Sequence, residues 1–161
     1  MKKPILLVED DPNDVLFMQI ALEAVGIDVP LEVAVNGKQA LDYLGLAMQP
    51  SAGQTKALPS LILLDLRLPQ VPGHEVLQWV RQQPSCAKLP VIVLTSSNAE
   101  TDIELAYQHG ANSYIVKPVN PVELSEIAKL IRDYWLRGKQ PPPEVDRYTQ
   151  RAPIGMVAGV S

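Results

Sequence analysis

Five short apolar runs, each followed by a stretch with helical spacing, constrain this chain more than any other feature. The runs read as strands over Pro4–Val8, Leu31–Val35, Leu61–Leu64, Leu89–Leu94 and Ser113–Val116. After the first, Val15, Met18, Leu22 and Val25 recur at helical spacing, with Asn13 or Asp14 as the cap and Gly26 as the stop. Asn36-Gly37 reads as a turn before a short helix over Lys38–Leu44, and Gly45–Ser60 as a long surface loop. Further helices are expected over His74–Gln83, Ala99–His109 and Asn120–Leu136, the first broken by Pro84 and the second ended by Gly110. Runs that are apolar throughout fit strands covered on both faces, so the alternation implies a parallel sheet with helices on both sides. Right-handed crossovers leave few topologies, and a doubly wound five-stranded sheet is the simplest of them.

The 161 residues divide into a domain over 1–137 and a tail over 138–161, where Pro141-Pro142-Pro143, Pro153, Gly155 and Gly159 dominate. The tail is too short for another ordinary domain and reads as an extended or flexible arm. With 47% hydrophobic and 20% charged residues, the composition is that of a folded globular protein. A net charge of −4 argues against nonspecific attraction to nucleic acid or to an anionic membrane. Cys86 stands alone, which suits a reducing compartment and reads as a turn or packing residue. The apolar stretch after Lys2-Lys3 is too short for a signal peptide, and no stretch approaches the roughly 20 apolar residues of a membrane span. A cytoplasmic protein is the expectation.

A parallel sheet brings the carboxyl ends of its strands to one edge, where open α/β sheets bind their ligands. That edge collects Glu9 and Asp10 from the first strand, Asp65 from the third, Thr95 from the fourth and Lys117 from the fifth. Taken singly, each has an ordinary explanation: Asp65 as a turn cap, Glu9 and Asp10 as helix-capping acids, Lys117 as a solvated strand end. Together they describe a site. Three crowded carboxylates repel, and a divalent cation removes that conflict. Ligands that are all oxygen favour Mg²⁺ or Mn²⁺ over zinc. Asp65 beside such an ion, with Lys117 and Thr95 opposite, suits nucleophilic attack on a phosphoryl group to give an aspartyl phosphate. His74 and His109 read as surface residues.

The segments Leu7-Val8-Glu9-Asp10-Asp11-Pro12-Asn13-Asp14, Leu64-Asp65-Leu66-Arg67-Leu68-Pro69, Val93-Leu94-Thr95-Ser96 and Gly110–Pro118 resemble the receiver domains of two-component response regulators. The likeness covers about Lys3–Leu136 and implies a flavodoxin-like sheet of strand order 2-1-3-4-5. It implies that Asp65 accepts a phosphoryl group from a sensor histidine kinase, with activity limited to self-phosphotransfer and self-dephosphorylation. It further implies that Asp10, Asp65 and the backbone carbonyl of Arg67 bind Mg²⁺, with Glu9 acting mainly through water. Thr95 would be the switch hydroxyl, Lys117 the phosphate's ion-pair partner, and Tyr114 an aromatic switch moving between exposed and buried positions. Pro72 departs from the family pattern by replacing the acid often found before the glycine of the following loop. Arg67 and Ser97 occupy the variable positions lining access to the phosphoryl group.

The long Gly45–Ser60 loop, the acidic opening and the Tyr134-Trp135-Leu136 end with its Pro-rich tail resemble single-domain regulators that pair with cyanobacterial phytochromes. That likeness implies a homodimer through the 103–135 face, offering Ile103, Tyr107, Tyr114 and Trp135 among Glu126, Lys129, Arg132 and Asp133. The alternative is that these residues pack the helices onto the sheet. An aspartyl-phosphate phosphatase would need a second acid two residues after Asp65, where Arg67 stands. A flavin carrier would need a phosphate-cradling first loop, where four acids stand instead. A receiver-like interaction module that takes no phosphate is the remaining alternative. With no room seen for a DNA-binding module, the signal is expected to leave through the surface of this domain.

Overall fold

The computed structural model describes residues 2–49, 53 and 56–137. The expected tail over 138–161 and part of the Gly45–Ser60 loop lie outside them. Five parallel strands, β1 (Ile5–Val8), β2 (Leu31–Ala34), β3 (Leu61–Leu64), β4 (Val91–Thr95) and β5 (Ser113–Val116), form one sheet in the order β2-β1-β3-β4-β5. This is the expected doubly wound topology.

Side chains alternate across the sheet and feed two cores. Leu6, Val8, Ile62, Leu64, Val91 and Val93 pack on one face against α2 (Gly37–Ala47), α3 (Gly73–Gln82) and α4 (Glu100–Gln108). Ile5, Leu7, Leu61, Leu63, Ile92 and Leu94 pack on the other against α1 (Pro12–Ala24) and α5 (Leu124–Leu130). Every residue of β1, β3 and β4 is buried, which is why these strands show no polar alternation in the sequence.

Helix starts account for most differences from the sequence reading. Asp11, rather than Asn13 or Asp14, caps α1, its carboxylate accepting the Asn13 N–H at 2.8 Å, and Pro12 takes the first helical position. Asn36 is a cap and not a turn residue: its side-chain oxygen accepts the Gln39 N–H at 2.8 Å and α2 begins at Gly37. α2 also runs past Gly45 to Ala47, because Ala40, Tyr43 and Leu44 are buried and tertiary packing outweighs one glycine's helix penalty. β4 begins after Pro90, and the Asn112 side chain accepts the Val91 N–H at 2.9 Å. The last segment is not one helix. Asn120 caps a 3₁₀ turn over Pro121–Glu123, α5 follows, and Ile131–Leu136 continues as a π-helical run, with Arg137 N–H donating to Arg132 O at 3.0 Å.

At the amino-end edge of the sheet, the Arg81 guanidinium donates to the carbonyls of Gly110, Cys86, Ala87 and Leu89 and to the Asn112 side chain, at 2.7–3.3 Å. Cys86 is buried in the 3₁₀ turn Pro84–Cys86, as a packing residue.

Candidate functional site

The strand register builds the site. Val8 lies opposite Leu64, so Glu9 and Asp65 leave the sheet side by side; Asp65 N–H donates to Val8 O at 3.1 Å and Glu9 N–H to Ala34 O at 2.9 Å. Thr95 lies opposite Val116, and Lys117 N–H donates to Thr95 O at 2.8 Å. The four side chains therefore meet because ladder bonds carry on one residue beyond the strands.

Asp65 is buried at the end of β3. Its Oδ1 accepts the Thr95 hydroxyl at 2.8 Å and the Arg67 N–H at 3.1 Å, while Oδ2 lies 3.1 Å from Lys117 Nζ. Lys117 Nζ also donates to Glu9 Oε1 at 2.5 Å and Asp14 Oδ2 at 2.8 Å. Burial alone would lower the Lys117 pKa; hydrogen bonds to Asp14 and Glu9 and the charges of Asp65 and Glu9 outweigh it and leave the ammonium raised. Glu9 is pushed up to about 7 by burial, with the Lys117 hydrogen bond opposing and the Asp65 charge adding. One ammonium does not balance this many acids.

A divalent cation fits here. Carboxylate oxygens of Glu9, Asp10 and Asp65 lie within 4.8 Å of one another, with Glu9 and Asp65 buried and Asp10 exposed to the crevice mouth. An oxygen-only donor set of this charge suits a hard cation. A cavity of about 180 Å³ opens beside Lys117 between α1 and the turn after β5, lined by Asp14, Phe17, Met18, Pro118, Val119 and Pro121.

Asp14 is the residue the sequence reading missed as part of the site. The sequence offers it, with Asn13, only as a helix cap, whereas Asp11 fills that role and Asp14, in the first turn, reaches Lys117. The available signal was Pro12, which fixes where α1 starts. Tyr114 is wholly buried, its hydroxyl donating to the Ser97 carbonyl at 2.8 Å. Ile103 is wholly buried too, and both pack into the core between the sheet and α2, α3 and α4, so neither of these two belongs to an exposed 103–135 surface. Tyr107 and Trp135 are partly buried. His74 and His109 are half-buried between α3 and α4, with rings 5.5 Å apart edge to face, and not simple surface residues.

No helix among the described residues is long and apolar enough to cross a membrane. The sequence matches the family described as the response regulator receiver domain over residues 5–129. A relative described as the probable methanogenesis regulatory protein FilR2, from Methanothrix harundinacea, is 39% identical over 138 residues, 86% of each chain. Response regulator Rcp1 of Synechocystis sp. is 37% identical over 134 residues, 83% of this chain and 89% of that one. The Mn²⁺-bound structure of Rcp1 superposes with a TM-score of 0.74, covering 87% of this chain and 99% of that one. The phosphorylated cyanobacterial phytochrome response regulator RcpA, 33% identical, superposes with a TM-score of 0.75 over 88% of this chain and 99% of its own. Fold, register and these similarities agree: the chain belongs to the response regulator receiver domain family and is related to the phytochrome response regulators.

Proposed function

We propose that this chain is the phosphoacceptor of a two-component relay, in which Asp65 takes a phosphoryl group from a sensor histidine kinase. The observation that carries the reading is a buried carboxylate held between a hydroxyl at 2.8 Å and an ammonium at 3.1 Å, beside two further acids. An Asp65 oxygen forms a bond to phosphorus as the P–N bond to the donor's imidazole breaks, and that electron pair returns to the ring nitrogen. Lys117 and the Thr95 hydroxyl face the phosphoryl oxygens, and Lys117 stays charged throughout. Asp10, Asp65, the Arg67 carbonyl and Glu9 would hold Mg²⁺, which would supply the remaining positive charge. Exposed Phe17 on α1 and Val119 beyond β5 line the cavity beside Lys117 at this edge.

Similarity to Rcp1 and RcpA supports a phytochrome as the donor kinase. Phosphorylation adds roughly −1.5 to −2 charges at Asp65. Thr95 and Tyr114 convert that charge into a changed surface for a dimer partner or a target.

Incubation with acetyl phosphate and Mg²⁺ is expected to label the wild type. Asp65→Asn should fold and take no label, and EDTA should abolish labelling of the wild type. Full labelling of Asp65→Asn at another residue, or labelling that ignores EDTA, would overturn the assignment.

A further inference from the structure

The wholly buried Tyr114 hydroxyl is held by one backbone oxygen, the carbonyl of Ser97, at 2.8 Å. Ser97 lies in the turn between β4 and α4, two residues after Thr95, and is itself buried. A turn carbonyl points wherever the turn is held, so the Tyr114 contact depends on what fixes Ser97. The Ser97 hydroxyl donates to Asp102 Oδ2 at 2.5 Å and accepts the Ala99 N–H at 3.3 Å. Asp102 sits in the first turn of α4. A hydrogen bond to a carboxylate is about twice as strong as a neutral one.

The other oxygen of Asp102 faces α3, and its side chain is 32% exposed. His74 on α3 brings Nε2 to 3.7 Å from Asp102 Oδ1, beyond hydrogen-bond distance, and both of its ring nitrogens are buried without a partner. The carboxylate is thus held by the Ser97 hydroxyl on one side and faces His74 of α3 on the other. Tyr114 is also tied at its backbone, its N–H donating to the Tyr107 hydroxyl of α4 at 3.1 Å. Both ends of the tyrosine therefore report to α4.

We infer that Asp102 is a positioning residue of the switch: it anchors Ser97, whose carbonyl retains the Tyr114 hydroxyl inside, and so sets how readily the ring leaves. The inference rests on the reading of Thr95 and Tyr114 as the responsive pair. It goes beyond that reading in naming a side chain remote from the phosphate as the one that sets the resting balance. The same bond braces the first turn of α4, as a capping contact does. A bracing role alone changes stability without releasing Tyr114, and this separates the two.

The full chain is labelled with 3-fluorotyrosine, and the ¹⁹F line of Tyr114 is assigned by its loss in Tyr114→Phe. A soluble gadolinium chelate then reads exposure of that ring. Wild type should be protected. Asp102→Ala should shift the buried-to-exposed ratio on the order of tenfold toward exposure, the size of one lost charge-assisted hydrogen bond. Asp102→Asn, which keeps an acceptor oxygen but no charge, should fall between and serves if Asp102→Ala does not fold. Asn36→Ala removes the α2 cap for a comparable loss of thermal stability, and should leave the Tyr114 line protected. A protected line in both Asp102 variants, or equal exposure in Asn36→Ala, overturns the inference. Acetyl phosphate labelling of the same samples separates the two claims. A labelled wild type whose Tyr114 line does not move overturns the switch reading itself. A line that moves in wild type and behaves identically in Asp102→Ala overturns only the role of Asp102.

Discussion

Lys117 faces three carboxylates with one ammonium, and the imbalance falls on Glu9. Its carboxyl is raised to about 7 through burial and the charge of Asp65, against the Lys117 hydrogen bond. A raised carboxyl pKa means that the folded chain holds a proton which the unfolded chain releases near 4.5. This contribution is therefore complete below about pH 4.5 and is lost as pH rises to about 7, at up to about 1.4 kcal/mol per pH unit. Metal-free wild type should accordingly lose stability relative to Glu9→Gln between pH 5 and 7, and Mg²⁺ should restore it. Parallel urea curves for the two proteins across that range, without Mg²⁺, would refute it. The acids themselves were readable from the sequence, since four of the site residues close apolar runs. Asp14 was not, because its role depends on the phase of α1, which Asp11 and Pro12 set between them. The half-burial of His74 and His109 was equally hidden: it follows from how α3 meets α4, and neither residue sits in a pattern that reveals it.

Two helices clamp the segment that carries Arg67, and both do so through a glycine. A Cβ on Gly73, the first residue of α3, would stand 2.3 Å from the Asp65 carbonyl oxygen and 2.6 Å from Leu66 Cα. On Gly37, opening α2, it would stand 2.2 Å from the Val71 carbonyl oxygen. Both obstacles are backbone and have little freedom to yield. Gly73→Ala should therefore lift α3 away from the end of β3 at a cost of about 1–3 kcal/mol, and should slow Asp65 labelling by shifting its backbone. An unchanged denaturation midpoint with wild-type labelling would show that the contact relaxes freely. At this scale the sequence disclosed element type better than element ends. Pro72-Gly73 and Asn36-Gly37 are turn-like pairs by composition, yet each starts a helix because the third strand's outgoing loop packs there.

For the whole molecule, five strands in alternation with helices permit few arrangements, which is why a doubly wound sheet was legible in the sequence, while its order 2-1-3-4-5 followed from the family likeness. Association is a different matter, since it depends on which side chains the helices leave uncovered. With Ile103 and Tyr114 inside, an α4–β5–α5 interface would draw on the exposed Leu105, on Tyr107 and Trp135, and on ion pairs such as Lys129–Glu126 and Arg132–Asp133. We expect a dimer by sedimentation at micromolar concentration, weakened at least about tenfold by Leu105→Glu, which buries an unpaired charge at that interface. A wild type that stays monomeric throughout a concentration series would remove this surface from consideration. Arg81 adds a consequence of its own. Its guanidinium is permanently charged and bonded to oxygens at the edge where β4 and β5 begin, opposite the edge that carries Asp65. Strands anchored at their starts, with Thr95 and Lys117 bonded to Asp65 at their finishes, behave like tuning forks held by the stem. Amide hydrogens around Leu89–Val91 and Asn112 should exchange slowly whatever the state of Asp65, and those beyond Thr95 and Val116 should carry the difference.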